Sequence, residues 1–152
     1  MELQEIIKKT HRIAALVAYS IFGAMVFFLI LEELIRNKLA PFYGLYHGRN
    51  LQTWRYLIYG LSAAGIIIAR LLQSVMLRKK PQNTPLDLVD KLYRATLVVT
   101  VMSELPALFG LVLFLIGGLN RDFYILLGIS VIVLFIFFPR HHAWENWIAG
   151  QI

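Results

Sequence analysis

Four long stretches of this sequence are almost without charge, and charged residues stand at their ends. Residues 13–31 are 19 positions with none, between Arg12 and the pair Glu32 and Glu33. Residues 56–77 are apolar apart from Arg70, Gln73 and Ser74. Residues 95–119 are 25 positions with one charge, Glu104, and residues 123–138 are 16 with none, closed by Pro139 and Arg140. A helix crosses the hydrocarbon core with about 20 apolar residues, and about 17 is the lower limit. The runs are apolar all round rather than on one stripe, which excludes a soluble amphipathic bundle. Composition agrees: 59% of residues are hydrophobic and only 16% charged, against about 45–50% and about 25% in soluble domains. The expected fold is therefore an all-α integral membrane protein in one domain, with four transmembrane helices. The expected spans are about residues 10–35, 52–77, 92–118 and 122–139, followed by an interfacial tail over 140–152. The first run is longer than a signal-peptide core and ends in two glutamates instead of a small-residue cleavage site, so it is expected to persist.

Orientation follows from the basic residues in the flanks. The N-terminus, second loop and C-terminus share one side and carry Lys8, Lys9, Arg12, Arg78, Lys79, Lys80, Lys91, Arg94 and Arg140. The other side carries Arg36, Lys38, Arg49, Arg55 and Arg121. Nine against five puts both termini in the cytoplasm, and the expected location is the inner membrane of a prokaryote. Distributed this way, the positive charges act as topology signals. No basic face interleaved with stacking aromatics points to nucleic acid. There is no cysteine, hence no disulfide framework and no thiolate site.

The connections have distinct characters. The first, residues 37–53, contains Pro41, Phe42, Tyr43, Gly44, Tyr46, His47 and Gly48; its tyrosines favour the outer membrane surface. The second holds Pro81, Asn83, Thr84 and Pro85, with Asp87 and Asp90 suited to a helix start. The third, Gly117 to Asp122, is so short that the last two helices must form an antiparallel hairpin. The tail carries Trp144 and Trp147 beside His141, His142 and Glu145, and reads as an interfacial anchor, with no metal expected. Glu32 and Glu33 are expected to be solvated at the end of the first span.

The third span holds the candidate chemistry. Thr96, Thr100, Ser103, Ala107 and Gly110 recur at spacings of 4, 3, 4 and 3 and form one stripe of small residues. Such stripes let membrane helices approach closely. Ser62, Gly65 and Ala69, continuing to Gln73, form a similar stripe on the second span, so these two helices are expected to pack together, and copies of the chain to form a homo-oligomer. Glu104 interrupts the third run near mid-membrane, where an ionisable side chain costs roughly 2.5–3.5 kcal/mol and marks a partner or a function. Pro106 weakens the helix beside it. Arg70, at comparable depth on the second span, is the candidate partner for a buried ion pair; otherwise Glu104 is free to carry an ion.

The segment Glu104-Leu105-Pro106-Ala107-Leu108-Phe109-Gly110-Leu111-Val112 resembles the ion-carrying helix of rotary ATP synthase proteolipids, the c subunits. In that family a membrane carboxylate precedes two variable residues, then Ala, an aliphatic, an aromatic, Gly and two aliphatics. Residues 60–69 resemble its small-residue first helix, and Lys79-Lys80-Pro81 resembles its cytoplasmic loop. The likeness covers roughly residues 57–116. It implies an oligomer of hairpins in which Glu104 carries a proton or a sodium ion.

No phosphate loop, catalytic triad or metalloprotease signature occurs, so no enzyme activity and no cofactor is expected. Two readings result. One is a proteolipid-like homo-oligomer in the lipid bilayer that moves protons or sodium ions through Glu104. The other is a non-catalytic scaffold or accessory subunit of a larger membrane complex, with Glu104 and Arg70 as a structural pair.

Overall fold

The computed structural model describes residues 2–45, 50–78 and 84–150. The positions expected to matter at Tyr46, His47 and Gly48, and at Lys79, Lys80, Pro81 and Asn83, lie outside the described residues. Six helices follow one another: α1 (Glu2–Lys38), α2 (Leu51–Met76), α3 (Pro85–Met102), α4 (Leu105–Gly117), α5 (Asn120–Phe137) and α6 (His141–Ala149). There is no strand among the described residues. Four segments are long and apolar enough to cross a membrane: α1, α2, α3 together with α4, and α5.

Local chemistry sets several boundaries. Thr84 and Asp87 form a reciprocal capping box at the start of α3: Thr84 N–H donates to Asp87 Oδ2 at 3.0 Å and Asp87 N–H donates to Thr84 Oγ1 at 3.3 Å. This satisfies two backbone donors that a helix start leaves unpaired. It also starts the helix at Pro85, in keeping with the helix start expected around Asp87 and ahead of the membrane span expected from about residue 92. At the other end of the third span, α4 stops at Gly118, whose φ of 64° is left-handed, and α5 begins two residues later. The expected hairpin forms, and α4 and α5 share the most extensive helix contact in the chain.

The core has three parts. Ala18, Ile21 and Met25 of α1 pack with Ala107 and Phe114 of α4 and with Phe123, Leu127 and Leu134 of α5. Ile58 of α2 packs with Leu113 and Leu126. At the end that holds both chain termini, Ile7 and Ala14 of α1, Val89 and Leu92 of α3, and Trp144 and Ile148 of α6 form a separate cluster. The tail is thus a packed helix: Trp144 is 3% exposed. His11 closes this end, its Nε2 lying 2.9 Å from the Pro139 carbonyl oxygen and its ring edge-on to His141 and Trp144.

The small stripe of the third span is buried throughout, but its lower part faces a different neighbour from the one expected. A Cβ on Gly110 would meet Leu126 Cβ at 3.0 Å and Phe123 Cα at 3.2 Å, both on α5. Gly65 of α2 instead approaches the Leu105 side chain, at 3.5 Å from its virtual Cβ. Ser62 and Ala69 are buried on the same face. The physical reason is the tight Gly117-Gly118 turn, which brings α5 directly onto the small face of α4 and leaves α2 the adjacent, bulkier face.

Candidate functional site

The third span is broken at Ser103 and Glu104, between α3 and α4. Upstream, Thr96, Thr100 and Ser103 each donate their hydroxyl back to a backbone carbonyl, of Leu92, Thr96 and Thr100, at 2.8, 2.7 and 2.6 Å. Such back-bonding bends helices. Pro106 then contributes no N–H and crowds the carbonyl four residues earlier. The Ala107 N–H donates instead across the hairpin to Ser130 Oγ, at 2.8 Å. A buried amide left without a partner costs about 1–3 kcal/mol, so Ser130 makes the break tolerable.

At this break Glu104 is half-buried. Along the same helical ridge lie Val101, Leu108 and Val112, which are 53%, 37% and 42% exposed. Its carboxylate has no hydrogen bond or salt bridge to any described residue. From the Asp122 level, eight residues of α5 reach Ser130, which is bonded at Ala107, and three more residues reach Glu104. At 1.5 Å per residue that is about 16 Å, or mid-depth in a bilayer about 30 Å thick.

Within one copy of the chain Arg70 does not meet Glu104. Its guanidinium lies over the Phe137 ring, 5.5 Å from the centroid, and Nη1 reaches Gln73 Oε1 at 3.4 Å. α3 starts at Pro85 and runs beside α1 and α6 before the span proper, so the comparable depth expected for the two residues is not what the packing gives. The packing of Gly65 on Leu105 sets the true register. Arg70 is five residues beyond Gly65, about 7.5 Å closer to the terminal end.

Two polar clusters that the sequence reading missed sit at the opposite end, one on each side of α5. Asp122 accepts from Arg55 Nε and Nη2, each at 2.8 Å, and from the Tyr59 hydroxyl at 2.8 Å. Two residues on, the Tyr124 hydroxyl lies 2.8 Å from Glu32 Oε2 and 2.9 Å from Glu33 Oε1. Arg36 Nη2 donates to both oxygens of Glu33 at 2.6 Å. Glu32 is fully buried, against the solvated position expected for it, and its Oε1 has no partner among the described residues. The apolar run ends at Glu32, but the helix continues to Lys38 and α5 packs on this last part. The available signal was an aspartate and a tyrosine opening span four at the end where Arg55 and Tyr59 open span two.

The first connection reinforces that end. Leu45 N–H donates to the Leu115 carbonyl at 2.9 Å, and Phe42 packs on Phe114 with ring centroids 5.0 Å apart. Gly44, at φ 85°, lies against the Gly117-Gly118 backbone, where a Cβ would come within 2.6 Å of Gly117 C. Comparison with protein-family models, curated proteins and solved structures gives no match to this chain.

Proposed function

We propose that the protein is a small polytopic membrane protein, proteolipid-like in its third span, whose half-buried Glu104 takes up and releases a proton or sodium ion where a second copy of the chain covers it. One observation carries this reading: a half-buried mid-depth carboxyl beside exposed apolar residues, with no salt bridge to any described residue. An ionisable group in that position is costly unless it is neutralised or covered, and a homo-oligomer supplies the cover. Arg70 is engaged with Phe137 and does not hold Glu104 in the charged state. The distribution of basic residues supports both termini in the cytoplasm, and an inner membrane of a prokaryote as the location.

The test is reaction with a hydrophobic carbodiimide in mild detergent. Glu104 should be modified, sodium or low proton activity should change the rate, and Glu104→Gln should abolish it. A carboxyl that stays unreactive under all these conditions refutes ion carriage.

A second reading, a non-catalytic accessory subunit of a larger membrane complex, draws on the terminal end. There α1, α3 and α6 form a packed extension suited to contact with another subunit. It predicts co-purification with a partner and an inert Glu104.

A further inference from the structure

A groove runs down the side of the bundle between α2 and α5, and it changes character along its length. Its deeper part is a cleft of about 420 Å³ walled by Ile66, Ile67 and Leu71 of α2 and by Val133, Ile136 and Phe137 of α5. Toward the terminal end it opens into a second cleft of about 330 Å³. Arg70, Ile136 and Phe137 line both, so the two are continuous. The second cleft adds Gln73, Thr96, Arg140, Trp144 and Trp147. It contains two guanidinium groups and no carboxylate, and neither arginine has a salt bridge among the described residues.

We propose that this groove binds a two-chain anionic phospholipid from the leaflet that holds the chain termini. The phosphate sits between Arg70 and Arg140, and one acyl chain lies along Ile67, Leu71 and Val133. The apolar length fits hydrocarbon and the cationic mouth fits a phosphodiester, so the groove matches an amphiphile better than a soluble anion. Arginine presents a fork of donors that suits phosphate oxygens. The Phe137 ring under Arg70 holds that fork at the junction, and Trp144 and Trp147 supply the ring surfaces common at headgroup level. Phospholipid in this position would also cover the unpaired charge of Arg70 within the span.

Native mass spectrometry of the full chain in mild detergent, titrated with phosphatidylglycerol or with phosphatidylcholine of the same acyl chains, tests the proposal. Phosphatidylglycerol should be retained at about tenfold lower concentration, because the choline cation of phosphatidylcholine cancels the net negative charge that its phosphate would offer to the two guanidinium groups. Arg70→Gln combined with Arg140→Gln should reduce that preference to under about threefold, whereas Arg12→Gln at the same end should leave it unchanged. If the double variant does not fold, Ile67→Trp, at an exposed position in the apolar part, should lower retention of phosphatidylglycerol by filling the groove. Equal retention of the two lipids, or a preference that survives both the arginine and the Ile67 changes, overturns the proposal. So does thermal stabilisation by millimolar inorganic phosphate equal to that by the lipid, since the site would then take a free anion.

Discussion

Arg55 and Asp122, 67 residues apart in the chain, meet at 2.8 Å and tie the first turns of α2 and α5 together. The Asp122 side chain is 3% exposed and that of Arg55 is 41% exposed, so the two partners are unequal. Loss of the aspartate strands Tyr59 and a half-buried guanidinium, whereas loss of the arginine leaves a buried carboxylate with a single phenol donor. Asp122→Ala should destabilise by about 2–3 kcal/mol, and Arg55→Ala should destabilise as well. The double variant should be less unstable than the sum by about 1 kcal/mol or more. Denaturant unfolding in detergent measures the cycle, and strict additivity would show that the contact contributes nothing.

The break in the third span makes a second cycle. Ser130→Ala removes the acceptor for the Ala107 amide and should cost about 1–3 kcal/mol. Pro106→Ala restores an N–H and lets the ladder close, so Ser130→Ala should cost much less in that background. Equal costs in both backgrounds would mean that the proline is not what diverts the ladder.

Glycine substitutions separate folding from assembly. Gly110→Ala drives a Cβ against the α5 backbone at 3.2 Å and should cost about 1–3 kcal/mol; Gly110→Leu should prevent the hairpin from forming. Gly65→Ala meets only a leucine methyl at ordinary contact distance and should be close to neutral. A folded, unchanged monomer for Gly110→Leu would contradict the packing described for α4 and α5.

Orientation is open to direct measurement. Reporter fusions after Lys80 and after Gln151 should be cytoplasmic, and fusions at His47 and Asn120 external. The reverse pattern would invert the molecule and place the phospholipid groove in the outer leaflet.

Elements governed by neighbours in sequence were legible beforehand. The four apolar runs, the hairpin at Gly117-Gly118, the weakening at Pro106 and the helix start around Asp87 each depend on a few adjacent residues. Relationships across the bundle were not legible. Arg55 and Asp122 both read as ordinary flank charges, because nothing local distinguishes a topology signal from half of an ion pair. Glu32 reads as solvated because its charge closes the apolar run, whereas its helix continues for more than a further turn. The relative depth of Arg70 and Glu104 was not legible either, since it depends on how α2 is registered against α4 through Gly65 and Leu105. Glu104 itself was found by its depth, but its half-buried setting needed the neighbours of Val101 and Leu108 to be known.

The polar clasp around Asp122 is expected to limit the thickness of membrane that the molecule accepts. α5 has 18 residues, about 27 Å at 1.5 Å per residue, slightly less than a hydrocarbon core of about 30 Å. Its ends are fixed, by Asp122 and Tyr124 on one side and by the Pro139-Arg140 elbow on the other, and neither can slide without breaking a contact. α1, with 37 residues, can tilt to absorb a thicker bilayer; α5 cannot lengthen. In thick bilayers Arg55 and Asp122 are drawn into hydrocarbon, and the surrounding lipid must thin to keep them wet. The short fifth helix is thus expected to act as a gauge, leaving the protein most stable in the thinner of two bilayers.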